Sequence, residues 1–314
     1  MKEGHEMKHT REELAQMQSL SLDMKIRMSQ RRIRDWYDYF DGQVYVSFSG
    51  GKDSTVLKHL VETTPGVYDV PSVFVDTGLE YPEVRMFATK NADVILRPEM
   101  RFDEVIEKYG YPVISKEVSN CIYYAKKGSD WAIKAMDGLK SDDTPCSFKQ
   151  RNIKYKYLLD APFEISNKCC DVMKKSPIKK YERETGRKQI VGTMAQESSL
   201  RRSAWLKTGC NSFDSKRPSS QPMSFWTEQD VLQYIVRFNL DYAKVYGDIV
   251  FDGEKYSTTG VDRTGCMFCM FGCHLEKEPN RFQRMKETHP RQYDYCMNKL
   301  GLKEVLEYIG VKYE

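Results

Sequence analysis

Long apolar runs are missing from this chain. Nowhere do roughly 18 hydrophobic residues follow one another, so no segment reads as a membrane-spanning helix. The opening stretch MKEGHEMKHTREEL carries no apolar block of the kind a secretory signal needs, and the expectation is a cytoplasmic protein without membrane association. A dominant charge of one sign is missing as well. The 49 Lys and Arg face 45 Asp and Glu for a net +4, a balance that neither demands nor excludes nucleic acid. Histidine is scarce: the five residues show no ligand spacing, and His274 alone lies near a cysteine-rich segment. The phosphate-binding pattern GxxxxGK[ST] does not occur, nor does an internal repeat or a low-complexity segment. What is present suffices for a globular protein, since 314 residues with 40% apolar side chains can bury a core for one large domain or two modest ones. Nine cysteines, an odd number without a signal, argue against a disulfide framework and for thiols engaged with metal or redox chemistry.

Residues 11–40 are charged, with Leu14, Met17, Leu20, Leu22, Met24, Ile26, Met28 and Ile33 at mainly helical intervals, which predicts one or two helices. Lys25, Arg27, Arg31, Arg32 and Arg34 form their basic side, read as a solvated helix face, with contact to a polyanion as the alternative. From Val44 the pattern becomes strand, turn and helix in repetition, the signal for a parallel sheet covered by helices. Strands are expected at Val44–Ser49, Ser72–Asp76, Asp93–Leu96 and Gln189–Thr193, with a helix Ser54–Thr63 burying Val56, Leu57, Leu60 and Val61. A right-handed βαβ unit follows. The expected division is a helical segment over 1–40, a nucleotide-binding domain over 41–227 and a cysteine-rich helical region over 228–314.

Within SFSGGKDST a strand runs into two glycines, then Lys52, Asp53 and Ser54 at a helix start. Glycines let the backbone approach a phosphate, while the first helical N–H groups and the Lys52 ammonium neutralise it. The alternative is a plain Gly-Gly turn capped by Asp53. The hexamer Ser49, Gly50, Gly51, Lys52, Asp53, Ser54 resembles the PP-loop of the ATP pyrophosphatase (adenine nucleotide α-hydrolase) superfamily, which includes sulfonucleotide reductases and tRNA thiolation enzymes. SVFVDTGLEYPEV places Asp76, Thr77 and Gly78 at the end of the second strand, where open α/β sheets bind ligands, and resembles a segment of phosphoadenylylsulfate reductase-like proteins. GTMAQESSLRR, beginning at Gly192, resembles that family's strand end followed by Glu-Ser and arginine, and Arg201 or Arg202 is the candidate for a phosphate or sulfate. The resemblance implies a Rossmann-like parallel sheet with helices on both faces, and ATP or an adenylylsulfate-type nucleotide as ligand, with Mg²⁺ as a further candidate.

Cys266 and Cys269 form a Cys-x-x-Cys in TGCMFCMFGCH, and Cys169 and Cys170 are adjacent in NKCCDVMKKSP. A lone Cys-x-x-Cys fits zinc, an iron-sulfur cluster or neither. Adjacent cysteines diverge, which suits separate iron corners better than one tetrahedral zinc. The set resembles that of assimilatory adenylylsulfate reductases, which implies a 4Fe-4S cluster on Cys169, Cys170, Cys266 and Cys269 beside the nucleotide. CCDVMKKSP also matches that family's Cys-Cys-x-x-x-Lys-x-x-Pro, and by that resemblance Lys174 links cluster and substrate. The reductases' C-terminal Glu-Cys-Gly-Leu-His, which holds the nucleophile, is absent. Cys296 in YDYCMNKL and Cys273 in FGCHLEKE are the remaining candidates, Cys273 also as an alternate cluster ligand. Cys121, Cys146 and Cys210 read as packing residues.

Three functions fit these residues. One is ATP-dependent adenylylation of an acceptor followed by sulfur transfer, the reading favoured by the missing nucleophile segment. Another is reduction of adenylylsulfate or its 3'-phosphorylated form by an attacking cysteine, which the cluster residues favour. The third is a nucleic-acid-binding module stabilised by cluster or zinc, with Lys149, Arg151, Lys154, Lys156, Lys179, Lys180 and Arg183 as its basic surface. The implied partners are a sulfur donor or thiol reductant protein and, for the first reading, an acceptor that includes nucleic acid among the candidates.

Overall fold

Two helices open the part of the chain that the computed structural model describes, residues 8–314. α1 (Arg11–Gln18) starts at a capping box, in which Thr10 Oγ1 accepts from the Glu13 amide at 3.1 Å and the Glu13 carboxylate from the Thr10 amide at 2.8 Å. α2 (Leu22–Tyr39) is capped by Ser21 and buries Leu22, Ile33 and Trp36 along one stripe. Lys25 departs from the solvated basic face expected of it. It is buried, donating to the Gln18 carbonyl at 2.7 Å and to the Asp230 carboxylate at 2.6 Å, because a buried ammonium is stable only where such acceptors replace water.

Among the described residues ten strands form: β1 Val44–Ser47, β2 Ser72–Val75, β3 Val94–Leu96, β4 Val113–Ile114, β5 Lys188–Val191, β6 Asn211–Ser212, β7 Ser219–Ser220, β8 Ile249–Phe251, β9 Tyr256–Thr258 and β10 Met270–Phe271. The chain divides into two compact units, one built from the residues up to Arg97 together with Ile178–Thr264, the other from Pro98–Pro177 with Gly265–Glu314.

The first unit holds a six-stranded sheet in the order β3-β2-β1-β5-β7-β6, parallel except where β6 runs antiparallel to β7. Val44, Tyr45 and Val46 of β1 are all buried, as a central strand covered on both faces requires. α3 (Lys52–Glu62) buries Val56, Leu57, Leu60 and Val61 in a core with Val44, Val46, Ile33, Trp36 and Ile190. Tyr45 and Val73 instead pack with Ile178 of the helix Ser176–Thr185, so helices cover both faces. The fold is the α/β class expected. β8 and β9 add an antiparallel hairpin in a stretch read from sequence as helical. Strand order reverses between β1 and β5, and that reversal opens a crevice beyond their carboxyl ends.

In the second unit the backbone around β4 joins two distant segments. Tyr111 donates its amide to the Glu164 carbonyl at 2.8 Å and accepts from the Ser166 amide at 3.0 Å, while Val113 and Ile114 pair in parallel with Met270 and Phe271 of β10. One side of this short ladder therefore leads into Cys169 and the other leaves Cys269.

Candidate functional site

β1 ends in Ser49, Gly50 and Gly51, and α3 begins at Lys52, so Lys52 and Asp53 sit in its first turn. Gly50 has φ +73°, and a Cβ there would stand 2.7 Å from the Ala88 Cβ and 2.8 Å from the Val84 carbonyl oxygen, a turn only glycine makes without displacing α4 (Pro82–Asn91). Ser54 Oγ accepts from the Ser49 amide at 3.1 Å and donates to the Gly51 carbonyl at 2.9 Å. Those bonds close the loop. The end of β5 is equally near, since a Cβ on Gly192 would meet the Asp53 carbonyl oxygen at 3.1 Å.

Lys52 is buried. Its Nζ donates to the Asp262 carbonyl at 2.8 Å, lies 3.0 Å from the Glu228 carboxylate and stands 5.6 Å from the centre of the Tyr246 ring. The Tyr246 hydroxyl accepts from the Lys52 amide at 3.3 Å and pairs with Thr264 Oγ1 at 2.7 Å. Lys52, Asp53, Met194, Gln196, Glu197, Glu228 and Arg263 line a cavity of about 180 Å³. Burial pushes the Asp53 carboxyl up, opposed by Lys52, and its buried Oδ1 has no hydrogen-bond partner among the described residues. Glu197 accepts from the Met194 amide at 2.7 Å and pairs with both Arg201 and Arg263. A helix N-terminus and an ammonium suit an anion, and the carboxylates around them suit a cation accompanying it.

At the end of β2, Asp76 is buried and takes two hydrogen bonds from Arg85, at 2.6 and 2.9 Å, with Arg97 at 3.7 Å. The Arg85 guanidinium holds its carboxyl below the usual range. Thr77 donates to Glu80 at 2.6 Å, and Gly78, at φ +72°, has nothing within 4 Å of where a Cβ would stand. Arg202 is exposed on the helix Ser199–Thr208.

The second unit gathers the other candidates. No disulfide joins cysteines among the described residues. Cys169 Sγ lies 4.0 Å from Cys170 Sγ, and its ionisation responds to Cys266 and Cys269, so the four thiols share one electrostatic neighbourhood. Within the pair the Cys170 thiol is lowered, by the hydrogen bond from Cys169 first and then by Lys116, Lys174 and Lys175. Cys169 is raised by the same bond and by burial. The Cys-x-x-Cys is a turn with the Cys269 amide on the Cys266 carbonyl at 3.2 Å, and Arg281 anchors the Cys269 carbonyl at 2.9 Å. Among the described residues no three His, Cys, Asp or Glu side chains close to single-ion spacing. Cys273 and Cys296 are buried, donate to the Met270 and Tyr293 carbonyls at 3.1 and 3.3 Å, and are both pushed up to about 12 by burial. Cys121 and Cys210 are buried, and Cys146 is half-buried.

Residues 43–126 and 134–271 match the phosphoadenosine phosphosulfate reductase domain. The chain belongs to that family. Two uncharacterized proteins of Methanocaldococcus jannaschii are 26% and 22% identical to it over 271 residues, which is 85% of this chain and 43% and 51% of theirs. The chain thus spans about half the length of the curated relatives it matches. A phosphoadenylyl-sulfate reductase from Candida auris, in phosphate complex, aligns with a TM-score of 0.40 at 15% identity, over 78% of this chain and 97% of that one.

In this member of the reductase-domain family, the residues read from sequence assemble unevenly. Ser49 to Ser54 and Gly192 meet at the strand reversal, with Arg201 attached through Glu197. Asp76 is engaged by Arg85, and Arg202 does not line the cavity. Glu228, Tyr246, Asp262 and Arg263 escaped sequence reasoning. Glu228 follows the capping residue Thr227 and Arg263 shortly precedes the Cys-x-x-Cys, but neither position signals proximity to Lys52. No described helix is long and apolar enough to cross a membrane.

Proposed function

We propose that this chain is an ATP-using sulfur transferase of the reductase-domain family. ATP binds with its phosphates on Ser49–Ser54, Lys52 and the first-turn N–H groups of α3 neutralise the pyrophosphate, and Asp53, Glu197 and Glu228 are the carboxylates that would hold an accompanying Mg²⁺. An acceptor oxygen attacks the α-phosphorus and the bond to the β-phosphate oxygen breaks, releasing pyrophosphate. A reduced sulfur donor then displaces AMP and forms the bond to sulfur. Adenylylation turns a poor leaving group into a good one, and preorganised charge at Lys52 and Arg263 stabilises the departing anion.

The observation that carries this choice over the reductase is the burial of both candidate nucleophiles. Attack on the sulfur of adenylylsulfate needs an accessible thiolate, and Cys273 and Cys296 are 1% and 0% exposed. In support of a cofactor, the Cys169 and Cys170 sulfurs stand 4.0 Å apart and Cys169 responds to the charge of Cys266 and Cys269, with Lys116, Lys174 and Lys175 to offset negative charge. That donor set fits a 4Fe-4S cluster better than one zinc. When bound, the cluster supplies one-electron chemistry and a soft site for sulfide.

The test is incubation of the anaerobically purified chain with ATP and, separately, with adenylylsulfate. Pyrophosphate release from ATP is expected. Stoichiometric sulfite release from adenylylsulfate, abolished by Cys296→Ser or Cys273→Ser with iron content intact, would establish the reductase instead.

A further inference from the structure

The 3-10 helix Lys149–Asp160 belongs to neither candidate site. With the residue before it, the sequence FKQRNIKYKYLLD places Lys149, Arg151, Lys154 and Lys156 ahead of any acid. At three residues per turn such a helix has three lines of side chains. Lys149, Asn152, Tyr155 and Leu158 form the inward line: Asn152 and Leu158 are buried, and the Tyr155 hydroxyl meets His274 Nε2 at 3.1 Å. The other two lines, Arg151-Lys154-Tyr157 and Gln150-Ile153-Lys156, are exposed throughout.

Cations alone would describe a solvated face, but this face also displays Phe148 at 56% exposure, Ile153 at 47% and Tyr157 at 42%. Large apolar side chains grouped among cations mark a contact surface. The Tyr157 ring is held in place. It lies 5.8 Å from the ring of Tyr308, whose hydroxyl donates to the Tyr157 carbonyl at 3.2 Å, and Tyr308 stands edge-on to Phe163 at 5.4 Å. Asp137 pairs with Lys156 and Asp143 with Lys134 at 2.9 Å, which leaves Asp160 alone as the acid on the line of Arg151 and Lys154. Positive charge on Arg151 and Lys154 is therefore in excess along this line.

We propose that this helix is a docking surface for single-stranded RNA, with bases stacking on Phe148 and Tyr157 and phosphates meeting Arg151 and Lys154. A structureless polyanion would need the cations and not the rings, and a duplex hides the base faces that rings recognise. RNA is the source because unpaired bases persist in its loops and ends. Nine steps of roughly 2 Å separate the two rings along the helix, which leaves room for a short run of nucleotides. The inference is independent of the nucleotide site and of any cluster.

Fluorescence anisotropy of the full chain with an end-labelled, unstructured RNA of about 20 nucleotides, at low and moderate salt, tests it. Binding is expected, and Phe148→Ala or Tyr157→Ala should each weaken it by about ten-fold, the scale of one lost base stack. Tyr157→Phe, which keeps the ring, should bind like the parent, and so guards against a misfolded variant. Arg151→Glu with Lys154→Glu should weaken binding and flatten its salt dependence. The proposal is overturned if the RNA does not bind, if the ring variants bind as the parent does, or if duplex RNA or the DNA oligomer of the same sequence binds equally tightly.

Discussion

Replacing Lys52 with methionine keeps the length of the side chain and removes its charge at one place in the structure. The ammonium is 4% exposed and is satisfied by the Asp262 carbonyl at 2.8 Å and Glu228 at 3.0 Å. Glu228 is 45% exposed, so it relaxes into solvent once Lys52 is gone, and the lost ion pair itself contributes little. Folding stability should fall only modestly, since Glu228 can resolvate and the buried Asp53 carboxyl, already pushed up by burial, can take a proton when Lys52 no longer opposes it. Nucleotide binding should respond far more. A hydrogen bond to a charged group is worth about 1.5–3 kcal/mol, which corresponds to a rise in Kd of roughly 10- to 150-fold. The lower end is expected, because Lys52 must exchange the Asp262 carbonyl and Glu228 for phosphate. Calorimetric titration with ATP and Mg²⁺, on parent and Lys52→Met protein matched for iron content and thermal midpoint, reads the effect. A Kd within about two-fold of the parent would refute the reasoning and return Ser49–Ser54 to the status of a structural turn.

The cluster reading expects anaerobically prepared protein to be brown, with about four iron and four sulfide per chain, and expects Cys169→Ser, Cys170→Ser, Cys266→Ser or Cys269→Ser to bleach it; stoichiometric zinc without sulfide would refute it. Cys273 and Cys296, pushed up to about 12 by burial, should resist alkylation by iodoacetamide near neutral pH until the chain is unfolded, as peptide mass spectrometry will record, whereas rapid labelling of either in the native state would reopen it as a nucleophile. The carboxyl of Asp76 is lowered by Arg85, so its contribution to stability is present above the unfolded value of about 4 and is lost as pH falls through the folded one. Asp76→Asn should consequently cost most near neutrality in a denaturant titration, and the difference from the parent should shrink on acidification; a difference independent of pH would remove the ion pair as its cause.

Local periodicity by itself determined the βαβ unit of this protein. The apolar positions Val56, Leu57, Leu60 and Val61 report a helix with one buried face, the runs around Val46, Val73 and Ile190 report buried strands, and Gly50 with Gly51 reports a turn that side chains would obstruct. The cysteine pairs were equally visible, because residue type and spacing are themselves the signal, and folding puts Cys169 under the electrostatic influence of Cys266 and Cys269. What only the tertiary structure decided is which distant residues share a space. The strand Lys188–Val191 lies beside Val44–Ser47, Asp230 neutralises Lys25, and Glu228, Asp262 and Tyr246 surround Lys52. No periodicity encodes such pairings, since they depend on the order in which strands join the sheet and on where long connections return. For the same reason Lys25 looked like a surface cation among other cations. Its sequence neighbours carry no trace of the carboxylate that folding brings to it.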